Sequence, residues 1–230
     1  MSVSPLTLAT HAVLVHAVAT GGSGAGWNWD RTRTWALYNM PRPMTDAEAR
    51  FVATHYDVLG FGQMFGGPPN TAEIAQAAAA AQVKRFNPNV KVVIYRNTDV
   101  DLGFAENASL EFRRHPDWLL RSLDGFPVDC PGGTNPRCQQ MQGQLHWDPT
   151  IAAVRNWFIN ATIGAIVNQT NGSAIDGVFL DGAGDEYAGL GNLTQAKLED
   201  VNASHAEIVA EITRRVNAIR PAGLTIGNGA

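Results

Sequence analysis

The stretch Ala174-Ile175-Asp176-Gly177-Val178-Phe179-Leu180-Asp181-Gly182 decides the reading of this chain. A short apolar run ends abruptly in a carboxylate set against a glycine. Continuous hydrophobic runs of this kind mark strands of a parallel sheet buried on both faces, and ligands of such sheets bind beyond the carboxyl ends of the strands. Asp181 therefore stands where an α/β barrel keeps its chemistry. An aspartate at a strand end can equally cap the loop or helix that follows, so the surrounding sequence has to weigh the two readings.

Working outward, the same arrangement of apolar run and polar tip recurs. A strand is expected over 35–39, and the capping box Thr45-Asp46-Ala47-Glu48 opens a helix running to His55. A second strand spans 57–63. A second box at 70–73 opens an Ala-rich helix that Asn87-Pro88 stops. The β-branched run 90–97 is the third strand. A long insertion follows, with a helical turn expected around 118–123. Asp148-Pro149 then reads as an N-cap with proline at the first helical position, opening a helix to Val167. After the strand ending at Asp181 come a Gly-rich loop, a helix to Arg220 stopped by Pro221, and a fifth strand over 224–228.

This alternation argues a parallel sheet with helices outside it, joined by right-handed crossovers. No Gly-x-Gly-x-x-Gly turn follows the first strand, which removes the dinucleotide-binding open sheet and leaves a (β/α)8 barrel as the expected architecture. Five βα units can be counted in 230 residues, against eight strands in about 250 residues for a whole barrel. The expectation is an incomplete TIM-type barrel, a truncated one, over 27–230, preceded by a signal-like or flexible leader over 1–26.

Composition narrows the function classes. With 45% hydrophobic residues and a net charge of −4, the chain can bury a full-sized core and carries no cluster of Lys and Arg that would attract nucleic acid. No apolar run approaches the ~20 residues of a membrane span. Asn-x-Ser/Thr acceptors begin at Asn107, Asn160, Asn168, Asn171, Asn192 and Asn202. Together with the apolar leader, and with Cys130 and Cys138 flanking a short turn that a disulfide could close, they favour a secreted or lumenal glycoprotein. Two unpaired thiols remain the plain alternative for the cysteines.

Aligning the strand tips brings Tyr38 and Asn39, Gln63, Arg96 and Asn97, Asp181 and Asn228 to one rim, with Asp185 and Glu186 in the loop behind Asp181. Neutral hydrogen-bonding groups around one or two carboxylates suit a sugar, and Trp118 and Trp147 could stack on its rings, although core packing is the commoner fate of Trp. Hydrolysis of a glycoside needs an acid to protonate the leaving oxygen and a carboxylate as nucleophile or base. Asp181 is the first candidate, and Asp185, Glu186 or a residue on a further strand could be its partner. Asp148 fits a cap better than a catalyst. The histidines form neither His-x-His at the first strand tip nor His-Glu-x-x-His, and Asp99 with Asp101 is too short a series for calcium, so no metal and no cofactor is expected.

The run His146-Trp147-Asp148-Pro149 through Val154-Arg155-Asn156-Trp157, followed by Ile175-Asp176-Gly177-Val178-Phe179-Leu180-Asp181, resembles a pattern of (β/α)8-barrel glycoside hydrolases of the polygalactosaminidase-like and α-amylase-like kinds. The resemblance implies sugar hydrolysis and a catalytic carboxylate at the fourth strand, which falls on Asp181. The expected function is thus a glycoside hydrolase acting on a poly- or oligosaccharide. Two alternatives stay open: a carbohydrate-binding barrel without a complete acid pair, and an inactive fragment. Sugar identity, linkage, stereochemical outcome and oligomeric state are not encoded in these motifs.

Overall fold

The computed structural model describes residues 34–62, 65–66, 72–100, 106–125, 127–128, 145–167, 174–183 and 193–228, with the side chains of 106–109 outside that description. The expected leader, Gln63, Asp185, Glu186, Cys130, Cys138 and the acceptors Asn168, Asn171 and Asn192 lie outside the described residues.

Five strands, β1 (Trp35–Tyr38), β2 (Val58–Phe61), β3 (Lys91–Asn97), β4 (Gly177–Asp181) and β5 (Leu224–Asn228), form one sheet in the order β1-β2-β3-β4-β5. Every pairing is parallel. The connections carry α1 (Asp46–His55) between β1 and β2, α2 (Ala72–Phe86) between β2 and β3, α3 (Glu106–Arg114) and α4 (Ala152–Val167) between β3 and β4, and α5 (Gln195–Ile219) between β4 and β5. A doubly wound sheet reverses its strand order partway across, which sends helices to both faces. Here each crossover steps the same way, so right-handed connections put all helices on one face.

Side-chain alternation shows the consequence. Leu59, Phe61, Val92, Ile94, Val178 and Leu180 point to the helices and pack with Val52, Ala80, Val83, Phe158, Ile208 and Ile212. Their neighbours Val58, Val93, Tyr95, Phe179 and Ile226 form a second cluster, joined by Trp35 and Leu224, to which no helix contributes among the described residues. Across that second face the rings of Trp35 on β1 and Phe179 on β4 meet edge to face at 5.6 Å between centroids. Flat sheet spacing would set those strands about 14 Å apart. Contact between their side chains follows from a sheet curled toward that face, as the wall of a barrel curls around its interior. The fold is α/β, with five strands arranged as an arc of a (β/α)8-type barrel.

Local chemistry explains the boundaries. Thr45 and Glu48 form the expected reciprocal capping box of α1, and the Thr194 side chain accepts from Lys197 N at 3.1 Å to start α5. Asp148 departs from expectation. Its Oδ1 accepts from Thr150 N at 3.0 Å, making a tight turn before a helix that begins only at Ala152. The insertion also differs, since α3 was not expected and the turn expected around 118–123 is a 3₁₀ segment at Pro116–Trp118. Residues Leu119 and Arg121 beyond it make isolated bridges to Trp147 and Pro127. Phe112 of α3 stacks on Trp147 at 4.7 Å, with Trp118 and Trp157 edge-on to it, so aromatic packing anchors the insertion to the core. Asn107 lies in the first turn of α3.

Candidate active site

The carboxyl ends of β3, β4 and β5 align in register, Asn97 beside Asp181 and Asp181 beside Asn228. By alternation from Tyr95, Phe179 and Ile226, these three side chains belong to the concave face. Asp181 is half-buried. Its Oδ2 accepts from the Tyr95 hydroxyl at 2.6 Å and its Oδ1 from Asn228 Nδ2 at 2.7 Å. Both donors are neutral. Asn97 Nδ2 approaches the Tyr95 oxygen at 3.5 Å. Burial first, then the charge and hydrogen bond of Asp181, push the Tyr95 phenol far above its ordinary range, so it acts as a donor at any physiological pH.

Tyr95 reaches Asp181 diagonally, because Tyr95 itself pairs with Phe179, two residues below. Two strand residues span about 6.6 Å, a distance a tyrosine side chain covers and a serine does not. Tyr95 is also held from behind. Pairing of β2 with β3 runs only from Val58 and Lys91 to Gly60 and Val93, and above that point Tyr95 N donates instead to the buried Gln76 Oε1 of α2 at 2.8 Å. Gly60 keeps the floor open for aromatic rings, since a Cβ there would fall 2.6 Å from the Trp35 ring.

The turn after Asp181 is pinned through Thr98. Its backbone N–H donates to Asp181 O at 2.9 Å, and its hydroxyl lies 2.9 Å from Asp181 O and 2.7 Å from Gly182 O. His205 Nε2 of α5 stands 2.8 Å from the same hydroxyl, and Trp147 Nε1 donates to Thr98 O at 3.2 Å. Gly182 takes a left-handed φ of 73°, which permits the chain to leave the strand sharply at that point. Nearby, Asp99 and His146 are buried with 3.8 Å between Oδ2 and Nδ1. Burial pulls the His146 imidazole down to about 4.

The structure separates several expected site residues from Asp181. Tyr38 and Arg96 occupy the alternate positions of β1 and β3 and face the helices. Tyr38 packs edge-on to Phe65 at 5.6 Å, and its phenol is pushed up to about 12 by burial and by the neighbouring Glu48. Arg96 pairs with Glu73 of α2 at 3.3 Å inside the helix layer. Trp118 and Trp147 are core residues, 8% and 2% exposed, with their faces taken by Phe112, His115 and Phe158. Asn39, in phase with Trp35 of the concave face, stays at the rim, exposed at the tip of β1 and packed against Gly62. Asp148 binds Lys197 Nζ at 2.6 Å, a structural ion pair. Tyr95, Thr98 and His205 were missed. Period-two reading from Asn97 would have placed Tyr95 beneath it, whereas nothing in the local sequence marks His205.

Among the described residues, no group of three or more His, Cys, Asp or Glu is placed to hold a metal ion, and no helix is long and apolar enough to cross a membrane. No family model matches the chain, and no curated protein matches it. Solved structures do share its fold. The glycoside hydrolase domain of PelA from Pseudomonas aeruginosa superposes with a TM-score of 0.53 at 14% identity, over 85% of this chain and 59% of that one. A GH36 α-galactosidase, AgaA from Geobacillus stearothermophilus, gives 0.51 at 15% identity, over 81% of this chain and 27% of that one. An α-amylase from Lactobacillus plantarum gives 0.50 at 12% identity, over 84% and 44%. The chain thus spans 59% or less of the length of each of these three.

Proposed function

We propose that this protein is a secreted glycoside hydrolase acting on a poly- or oligosaccharide, with Asp181 as one of its catalytic carboxylates. The observation that carries the reading is the position of Asp181: half-buried at the carboxyl end of β4, on the concave face, oriented by two neutral donors at 2.6 and 2.7 Å. A carboxylate held by neutral groups keeps its full charge for an oxocarbenium-like transition state, whereas one paired with a cation has already spent it. Asn228, with Nδ2 on Asp181 Oδ1, presents the rest of its amide to a sugar hydroxyl beside the carboxylate, while Asn97 is held by Tyr95 and by the backbone N–H groups of Asp99 and Val100. The likeness to solved glycoside hydrolases supports the same class through fold.

In the proposed reaction a carboxylic acid protonates the glycosidic oxygen while a carboxylate attacks the anomeric carbon or takes a proton from water. The pair would stand about 5–5.5 Å apart for retention and about 6.5–9.5 Å for inversion. Asp185 or Glu186, which follow β4 in the sequence, is the proposed partner. Wild type and Asp181→Asn should be compared on a panel of aryl glycosides and polysaccharides. Turnover is expected for wild type, with kcat down by several orders of magnitude in the variant and KM little changed. Equal kcat in both would remove Asp181 from the chemistry.

One observation favours a second reading, carbohydrate binding without hydrolysis: an amide, Asn228, stands in register beside Asp181 where a second carboxylate could have stood. Calorimetric binding of a glycan with no turnover would select it. Secretion belongs to the main proposal. Peptide mapping of material from the native host should find glycan on Asn107 or Asn192 and a Cys130–Cys138 bridge, and bare acceptors with free thiols would refute it.

A further inference from the structure

The geometry points to Tyr95 as a positioning residue that, with its proton direction set by Asn97, fixes Asp181 as a hydrogen-bond acceptor on both oxygens. The inference deepens the hydrolase reading and rests on it for the chemistry, though not for the hydrogen-bond order itself.

The order can be followed from the backbone outward. Asn97 Oδ1 accepts from Asp99 N at 3.0 Å and from Val100 N at 2.8 Å. Two backbone N–H groups leave that amide one orientation, because the reverse would set NH₂ against both donors. Nδ2 is therefore turned toward the Tyr95 oxygen, 3.5 Å away. With an amide donor on its lone-pair side, the phenol directs its own proton to the acceptor at 2.6 Å, Asp181 Oδ2. Oδ1 meanwhile faces Asn228 Nδ2 at 2.7 Å. A protonated Asp181 would need an acceptor for its own proton, and on the Tyr95 side the donors are already ordered against it. The arrangement assigns Asp181 the work of a carboxylate, nucleophile or base, and leaves proton donation to another group. Tyr95 touches no reacting atom in this scheme; it sets the angle and hydrogen bonding of the oxygen that does.

Two readouts test this. Infrared difference spectra of wild type against Asp181→Asn at pH 7 isolate the Asp181 band, and the same difference is taken in a Tyr95→Phe background. The band lost should be that of an ionised carboxylate, and it should shift when the phenol is removed. A carboxylic-acid carbonyl band, or a carboxylate band unmoved by Tyr95→Phe, overturns the inference. Asn97→Asp, which offers the phenol a competing acceptor, should move the band in the same direction as Tyr95→Phe, and an unmoved band there overturns the role given to Asn97. In turnover, Tyr95→Phe should lower kcat about 10- to 100-fold, the worth of one hydrogen bond to a charged group, with KM within about twofold. An unchanged kcat with an active wild type would overturn the positioning role. If wild type turns over no substrate, the hydrolase reading fails, and the infrared spectra still decide the hydrogen-bond order.

Discussion

Lowering pH from 7 to 5 should cost the folded protein about 2 kcal/mol through His146 alone. The imidazole lies 4% exposed, and burial takes it from 6.5 to about 4. Folded His146 thus stays neutral while unfolded His146 takes up a proton below about 6.5. The unfolded state binds more protons throughout that window, so stability rises with pH across it and falls as the solution is acidified. At pH 5 the unfolded imidazole is almost fully charged and the folded one is not, which leaves about one and a half of the two and a half pH units expressed, or about 2 kcal/mol at about 1.4 kcal/mol per unit. Acid effects of carboxylates such as Glu48, held low first of all by the Arg42 guanidinium, enter mainly below about pH 4.3, the unfolded carboxylate value. Urea unfolding at pH 7, 6 and 5 should be run on wild type and His146→Gln. Wild type should lose stability between pH 7 and 5 by about 2 kcal/mol more than the variant does. Parallel pH dependences in the two proteins would refute the burial argument.

Asp148→Asn should leave kcat of an active enzyme nearly intact yet cost about 2 kcal/mol in urea unfolding, because Lys197 loses its 2.6 Å partner in a half-buried site. Glu73→Gln should destabilise by about 3 kcal/mol by stranding the Arg96 guanidinium, while Glu73→Leu combined with Arg96→Met should recover most of that loss in thermal melts. Trp147→Ala should cost about 3–5 kcal/mol, as measured by chemical denaturation, since the ring is buried between Phe112 and Phe158. A sugar-stacking Trp would instead weaken glycan binding and leave stability unchanged.

The elements were legible because their signals are local. Thr45 with Glu48 and Pro221 sit where helices start or stop, and the strands are runs whose length and composition need no partner to be recognised. Helix α3 was not legible, because its stretch is mostly polar and the residue that seats it, Phe112, acts through rings contributed by Trp118, Trp147 and Trp157. The rim was half legible. Tyr38 with Asn39, and Arg96 with Asn97, are sequence neighbours, and neighbours on a strand point to opposite faces. Strict period-two reading from Asp181 would have kept Asn97 and Asn228 and turned Tyr38 and Arg96 toward the helices, where Phe65 and Glu73 meet them.

The two aspartates that bracket β4 show what the sequence alone withholds. Asp176-Gly177 and Asp181-Gly182 look alike as motifs. At the amino end, Asp176 meets Lys84 at 2.6 Å and Lys91 at 3.5 Å, and accepts from Val92 N at 2.8 Å. It ties β3, β4 and α2 together at the face of a barrel where side chains serve stability. At the carboxyl end, Asp181 meets a phenol and an amide, and its charge is oriented without being neutralised. The difference comes from residues far away in sequence, Lys84 on α2 and Tyr95 on β3, brought to opposite ends of one strand by parallel register. Parallel pairing makes the two ends of the sheet chemically unlike, and that asymmetry, more than the aspartate itself, makes Asp181 rather than Asp176 the residue to test for catalysis.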